Sequence, residues 1–394
     1  MNQPLAPTLP PLALDRLPEV AAKLAEHAEQ HDREGSFPHE GVAHVHEAGL
    51  LTATVAAEYG GPGAGLATVV QILRVLGSAD PSVALVTAMT LFTHATQATT
   101  KGWPDRHYRR LLEDSATGPA LVNALRVEPE LGTPARGGLP ATTARREPAN
   151  GDWLISGHKI FSTGAVGLRW LSVWARTDEE PPRVGAFLLR AEKPGEVPGL
   201  RIEPTWDHLG LRASRSDDTI LEDVRVPEDA TSGLVDPAAT DPRRDPGLIV
   251  WNNLGLTALY LGVAQAARDW LITFLNERTP SALGRPLATV PRIQAEVGEI
   301  EARLVAAEDL LASLALRFDA GDAEAARHSP AAKLIGTRAA IDAVQRAVAL
   351  VGNNALTRRN PLERHLRDVL CARVHTPQDD SILTALGTAA LSRY

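Results

Sequence analysis

Four groups of residues in this chain have types and spacings that chemistry uses. His27 and His31 stand four apart, as two metal ligands on one helical face would, but Glu and Gln surround them and a solvated face is the better reading. Gly60, Gly61, Gly63 and Gly65 gather like a phosphate loop, yet no buried strand precedes them and the G-x-G-x-x-G spacing fails, so they read as a loop between helices. His94, in Phe92-Thr-His-Ala, interrupts a helical run and reads first as a packed side chain. His375 lies beside Pro377 near the C-terminus, where an imidazole titrating near neutrality serves as a proton partner or merely caps a helix. Neither G-x-S-x-G nor H-E-x-x-H occurs, which leaves hydrolase and zinc-protease chemistry without an anchor. A single cysteine, Cys371, excludes an intramolecular disulfide and a Cys-rich metal site.

The elements that must hold these residues follow from periodicity. From Leu17 to about Glu113, apolar residues recur at intervals of three and four, and Asp80-Pro81-Ser82 reads as a stop followed by a helix cap. From about Ser115 to Pro227, Gly, Pro and Thr become frequent and short apolar runs alternate with turn residues. Asn150-Gly151 predicts a tight primed turn, with a strand returning from Trp153. Runs at 171–176, 185–190 and 219–226 continue the pattern around a polar loop at 177–184, so a small β-barrel or sandwich is expected. After the Pro- and Asp-rich stretch 236–246, helical periodicity returns to the end. Ile293 to Phe318 and Leu334 to Val351 predict two long antiparallel helices, the first broken at Gly321 and the second opened by Ser329-Pro330. Three domains in series are expected: 1–114 helical, 115–235 β, and 236–394 helical.

Composition agrees with a folded, helix-rich protein: 394 residues suffice for two or three cores, and 44% are hydrophobic against 22% charged. Forty Lys plus Arg against 48 Asp plus Glu, with no basic run, argue against a nucleic-acid partner. No uninterrupted apolar run approaches the length of a membrane span, and Met1–Pro11 lacks the basic and apolar regions of an export signal. A cytoplasmic protein with no membrane partner is expected.

Four segments, in this order, resemble the acyl-CoA dehydrogenase superfamily: Gly49-Leu-Leu-Thr52 with Glu58-Tyr-Gly-Gly61; Val127-Glu-Pro-Glu-Leu-Gly-Thr133; Gly157-His-Lys-Ile-Phe-Ser-Thr-Gly164; and Trp206-Asp-His-Leu-Gly-Leu-Arg-Ala-Ser214 running into Asp223-Val-Arg-Val-Pro227. A fifth, Asn360-Pro-Leu-Glu-Arg-His-Leu-Arg-Asp368, resembles the arginine-aspartate signature before the family's last helix. The resemblance implies an α+β fold with an N-terminal helical domain, a middle β-barrel domain and a C-terminal four-helix-bundle domain. It implies an oxidoreductase with FAD as cofactor, FMN being the alternative, bound across subunits of a homotetramer.

By that resemblance, the segment from Leu125 through Val127 and Gly132 to Thr133 presents backbone to the flavin, and Thr133 meets its phosphates. Val127 stands where relatives often carry threonine, so only its main chain can serve. Phe161 would lie against the ring and Thr163 would hydrogen-bond near N5, the two facing one side of a strand. Arg278 matches the arginine that clamps the pyrophosphate. Gly352 and Asn353 match a second glycine-rich contact, while Gln378 and Asp380 fall near the adenine end.

Dehydrogenation of an acyl thioester needs a carboxylate to take the α-proton while hydride passes to the flavin. The glutamate of ordinary members would fall at Thr376, and the alternative position of other members at Asn252; neither residue is a base. His375 with Pro377 resembles instead the two-component monooxygenases of the superfamily, such as dibenzothiophene monooxygenase, which use reduced flavin and oxygen. His375, Thr163 and His94 are therefore the catalytic candidates. The substrate is a small molecule, an acyl-CoA or an aromatic or heteroatom compound. A flavin reductase serves the monooxygenase reading and an electron-transfer flavoprotein the dehydrogenase reading. A non-catalytic flavin-binding scaffold is the remaining alternative.

Overall fold

The computed structural model describes residues 7–131, 138–193, 196–239 and 246–392. Five helices come first: α1 (Leu17–Glu34), α2 (His39–Glu47), α3 (Leu66–Ala79), α4 (Pro81–Thr100) and α5 (Asp105–Thr117). In α1 the buried residues Leu17, Val20, Leu24, Ala28 and His31 recur at three and four, and Gly35, at φ 63°, ends the helix in the left-handed region where only glycine is unstrained. Asp80 caps α4 by accepting from the amides of Ser82 (2.8 Å) and Val83 (3.2 Å). The glycine cluster lies in the loop before α3.

The middle region is one sheet of eight strands: β1 (Leu121–Leu125), β2 (Thr143–Arg146), β3 (Trp153–Lys159), β4 (Leu168–Thr177), β5 (Val184–Arg190), β6 (Leu200–Glu203), β7 (Asp218–Val226) and β8 (Thr231–Val235). Their order is β6-β7-β3-β2-β4-β5-β8, with β1 added parallel to β4; among the described residues β6 and β8 are not paired, so the sheet is open. Trp153, Ile155, Trp170, Val173 and Phe187 fill its interior. The hairpin between β2 and β3 forms, but not by a two-residue primed turn. Only Gly151 has positive φ (80°), while Asn150 accepts from the amide of Asp152 (3.0 Å), an Asx closure of a longer loop.

The third region contains α6 (Pro246–Glu277), α7 (Pro291–Asp319), α8 (Ala323–Val351), α9 (Asn353–Leu356), α10 (Leu362–Leu370) and α11 (Asp379–Leu391). Residues 247–277 of α6 are long and apolar enough to cross a membrane by composition, but 78% of the most apolar window is buried inside the protein. The helix is the central post of the molecule, packed on α3, α4, α7, α8 and α10. Its approach to α3 is at backbone range: a Cβ on Gly77 would stand 2.4 Å from the Leu259 carbonyl, and one on Gly262 2.1 Å from that of Arg74.

The expected start of α8 is corrected. It begins at Ala323 under an Asp322 cap and runs through Pro330. Proline removes the amide that would bond the Ala326 carbonyl, and the Ser329 hydroxyl donates to that carbonyl instead, at 2.9 Å. The helix therefore tolerates its proline.

Three regions meet where Gly210 touches α10, a Cβ there falling 2.4 Å from the Arg367 carbonyl. Arg367 donates to both carboxylate oxygens of Asp32 (2.9 and 2.6 Å) and to the Leu209 carbonyl (3.0 Å), and Asp368 accepts from the Leu211 amide (2.7 Å). The segment 206–214 is thereby clasped between α1 and α10.

Candidate functional site

The chain leaves β3 at Lys159, so Phe161 and Thr163 are not strand neighbours as expected but ends of a tight turn, the Thr163 amide donating to the Phe161 carbonyl at 2.9 Å. Phe161 has φ 56°, a conformation that costs a residue with Cβ about 1–2 kcal/mol. The strain turns its ring outward, 52% exposed, with the stacked pair Trp206 and His208 (3.7 Å between centroids) against its edge at 6.3 and 6.0 Å. An aromatic plate held open on strained backbone suits a flat heteroaromatic cofactor.

Behind it runs a chain of hydroxyls. Ser216 donates to the Thr163 hydroxyl at 3.1 Å and lies 2.9 Å from the Ser214 hydroxyl, while the Asn123 amide donates to the Thr163 carbonyl at 3.1 Å. Ser216 has one proton, and giving it to Thr163 leaves the Thr163 proton free to point toward the open side. A flavin N5 or O4 there would find a donor already oriented.

Below the turn is an ion pair that sequence reasoning missed. Lys159, fully buried, donates to Glu128 at 2.6 Å and to the Trp174 carbonyl at 2.5 Å. Glu128 also accepts from the Thr142 hydroxyl (2.6 Å) and from the amides of Ala141 (2.6 Å) and Thr142 (3.1 Å). Burial pulls the Lys159 ammonium down to about 8 despite its partner, whereas the Glu128 carboxyl is held low by Lys159 and Thr142 against its own burial. The pair fastens Val127-Glu-Pro to the strand that delivers Phe161, and the Ile160 amide adds a bond to the Val127 carbonyl at 3.0 Å. A lysine inside an otherwise strand-like run was the available signal.

On the C-terminal side, α6 and α8 nail down the turn 374–377. Lys333 donates to the carbonyls of His375 (3.0 Å) and Pro377 (2.8 Å), and Asn252 donates to that of Thr376 (2.7 Å). Three consecutive carbonyls thus accept from side chains. The two positions expected to be emptied of a carboxylate, Asn252 and Thr376, meet in space although 124 residues separate them. His375 is half-buried, its Nδ1 2.7 Å from the Tyr260 hydroxyl. Burial, with Lys333 adding to it, drives the imidazole down to about 4, so His375 is neutral at pH 7 and does not titrate near neutrality as expected.

The remaining candidates scatter. Leu125 ends β1 and is buried, and Val127 is half-buried; Gly132 and Thr133 lie outside the described residues. Arg278 is exposed just past α6 and forms no ion pair among the described residues. Gly352 has φ 55° with open space where a Cβ would stand, and Asn353 opens α9 exposed. Gln378 precedes α11 and lines, with Arg338, Gln345, Arg373 and Asp380, an open groove of about 490 Å³. His94 is fully buried, bonded through Nδ1 to the Tyr108 hydroxyl at 3.0 Å, and lowered by burial to about 4; no contact among the described residues joins it to His375 or Thr163. His31 is buried rather than solvated, its ring nitrogens taken by Ser36 and Glu40.

Residues 19–106, 127–224 and 254–379 match the N-terminal, middle and C-terminal domains of acyl-CoA dehydrogenases in turn. The putative acyl-CoA dehydrogenase YdbM of Bacillus subtilis (strain 168) is 31% identical over 382 residues, 96% of each chain. The chain belongs to the acyl-CoA dehydrogenase superfamily. Its members are flavin-dependent oxidoreductases, and the helical, β, helical order is theirs. Among solved structures, KijD3 in complex with dTDP superimposes with a TM-score of 0.82 at 30% identity over 96% of both chains. A second KijD3 structure holds FMN and dTDP-3-amino-2,3,6-trideoxy-4-keto-3-methyl-D-glucose. The nitrososynthase of Micromonospora carbonacea var. africana gives 0.81 at 26% identity, over 96% of this chain and 95% of that one. Within the superfamily, the exposed Phe161 plate and the pre-oriented Thr163 hydroxyl are the features of this chain that fit a flavin ring.

Proposed function

We propose that this protein is a flavin-dependent monooxygenase that spends reduced flavin and oxygen on a heteroatom of a small molecule, rather than a dehydrogenase of acyl thioesters. The carrying observation is the hydrogen bond from Asn252 to Thr376. Both positions from which the superfamily draws its base are filled by side chains that take no proton, and that of Asn252 is spent on the backbone carbonyl of Thr376. Bound reduced flavin would supply two electrons, one oxygen atom of dioxygen going to substrate and the other to water. Phe161 would support the ring, Thr163 would donate to it, and His375, neutral, would offer a further hydrogen bond. The FMN and amino-sugar complex of KijD3, and the nitrososynthase name, favour an amine or comparable heteroatom as substrate.

The groove beside Gln378 has room for the adenosine half of FAD, which is the reading kept here; FMN is the alternative, and chromatography of the released flavin distinguishes them. Exposed Leu383, Leu386 and Leu391 on α11 support a homotetramer, to be checked by sedimentation. A flavin reductase completes the system.

The test is anaerobic mixing of flavin-loaded protein with a panel of acyl-CoAs. No bleaching of the oxidised flavin band is expected; rapid bleaching overturns the proposal and returns the dehydrogenase reading, which the likeness to YdbM favours, with an electron-transfer flavoprotein as partner. Failure to bind any flavin would leave only the scaffold reading.

A further inference from the structure

Tyr260 is fully buried in α6, and its hydroxyl has one hydrogen-bond partner among the described residues, Nδ1 of His375 at 2.7 Å. A hydroxyl enclosed by protein gives its proton to the one acceptor in reach, because leaving it unpaired costs about 1–3 kcal/mol. Burial also raises the phenol well above its ordinary range, so that proton stays on oxygen. Nδ1 must then present its lone pair, and in a neutral imidazole the ring proton resides on Nε2. That nitrogen makes no hydrogen bond to a described residue, and unlike Nε2 of His94 it is not sealed among the buried unpaired atoms.

The ring cannot rotate away from this arrangement cheaply, because the backbone carrying it is pinned on either side. Lys333, 1% exposed and without a carboxylate within salt-bridge range among the described residues, directs its ammonium at the carbonyls of His375 and Pro377. Removing an ammonium from water without a counter-charge is expensive, and the two carbonyls are the compensation the fold provides.

We propose that Tyr260 is a positioning residue that locks His375 in the Nε2–H form, making the imidazole a fixed hydrogen-bond donor toward the open side of the turn and not a base. Lys333 is the second member of this device, holding the turn so that the Tyr260 bond keeps its direction. The inference rests on the monooxygenase reading for its purpose, but the tautomer itself does not depend on that reading.

Flavin-loaded protein with ring-labelled histidine, its His375 signal assigned by loss in His375→Gln, would show at pH 7 an Nδ1 shift of the unprotonated type and an Nε2 shift of the protonated type. Tyr260→Phe, which removes only the hydroxyl, should mix the tautomers. It should also raise the fraction of reduced flavin lost as hydrogen peroxide roughly two- to tenfold, in proportion to the competent form that remains. Lys333→Gln, retaining a donor, should broaden the His375 signal without changing its tautomer. A wild-type ring protonated at Nδ1, or on both nitrogens, overturns the proposal, as does a Tyr260→Phe ring indistinguishable from wild type. An Nε2–H ring in a protein that oxygenates nothing upholds this assignment while defeating the functional reading.

Discussion

Asn252 Nδ2 donates to the Thr376 carbonyl at 2.7 Å, joining the start of α6 to the turn before α11. The bond has a direction, and the direction is testable. Asn252→Asp replaces the donor with an acceptor facing a carbonyl, and one lost bond with an unpaired polar atom costs about 1–3 kcal/mol. Melting should fall, more at pH 8 than at pH 4, since only a protonated carboxyl can restore a donor. Equal melting of variant and wild type at pH 8 would refute the geometry.

The hydroxyl chain predicts an effect on affinity more than on stability. Ser216→Ala frees Thr163 to turn inward toward Ser214, and loss of one oriented hydrogen bond to flavin is worth about 1 kcal/mol, roughly a fivefold weaker dissociation constant. Thr163→Val should weaken binding at least as much. Titration followed by flavin fluorescence measures both, and unaltered affinity in both would remove Thr163 from the flavin site.

Asp368 predicts a pH dependence with a definite sign. Burial raises its carboxyl from 3.8 to about 7, against the Leu211 amide and the arginines that lower it. The folded state therefore holds a proton that the unfolded chain has released, and the stabilisation, complete below pH 3.8, disappears as pH rises through about 7. Asp368→Asn keeps the acceptor for the Leu211 amide and cannot ionise. Its melting temperature should match wild type near pH 3 and exceed it increasingly from pH 5 to pH 8; a constant difference from pH 3 to pH 8 would contradict the assignment.

Breaking the Lys159–Glu128 pair leaves one enclosed charge. Lys159→Met or Glu128→Leu alone should cost about 3–5 kcal/mol, whereas Lys159→Met with Glu128→Leu should recover part of it. Denaturant unfolding of the three variants forms the cycle, and additive losses would mean that the two groups do not interact.

Much of the fold was legible because its causes are local. Asp80-Pro81-Ser82 caps a helix by its own side chain, and Trp153 with Ile155, like Val224 with Val226, are buried at alternate positions of their strands. Pro330 was misread because its compensation, the Ser329 hydroxyl on the Ala326 carbonyl, depends on a rotamer and not on a pattern. Phe161 and Thr163 were legible in type but not in geometry, since the turn that splays them shows only in φ. The surroundings of His375 were not legible, because Lys333 and Tyr260 reach it from sequence positions 42 and 115 residues away. Side chains that act through distant carbonyls leave no periodic trace.

Asp319, the last residue of α7, accepts from the amides of Leu66 (2.7 Å) and Ala67 (2.9 Å) at the bare start of α3. Helix α3 has no capping side chain of its own and borrows one from 253 residues downstream. During synthesis the ribosome must deliver most of the chain before that early helix is finished, so the first folding unit stays a client of the last. A fragment ending ahead of Asp319 would carry α3 with a frayed start, and genetic dissection of this enzyme into separately expressed pieces should yield an N-terminal piece that clumps unless the C-terminal helices are supplied alongside it.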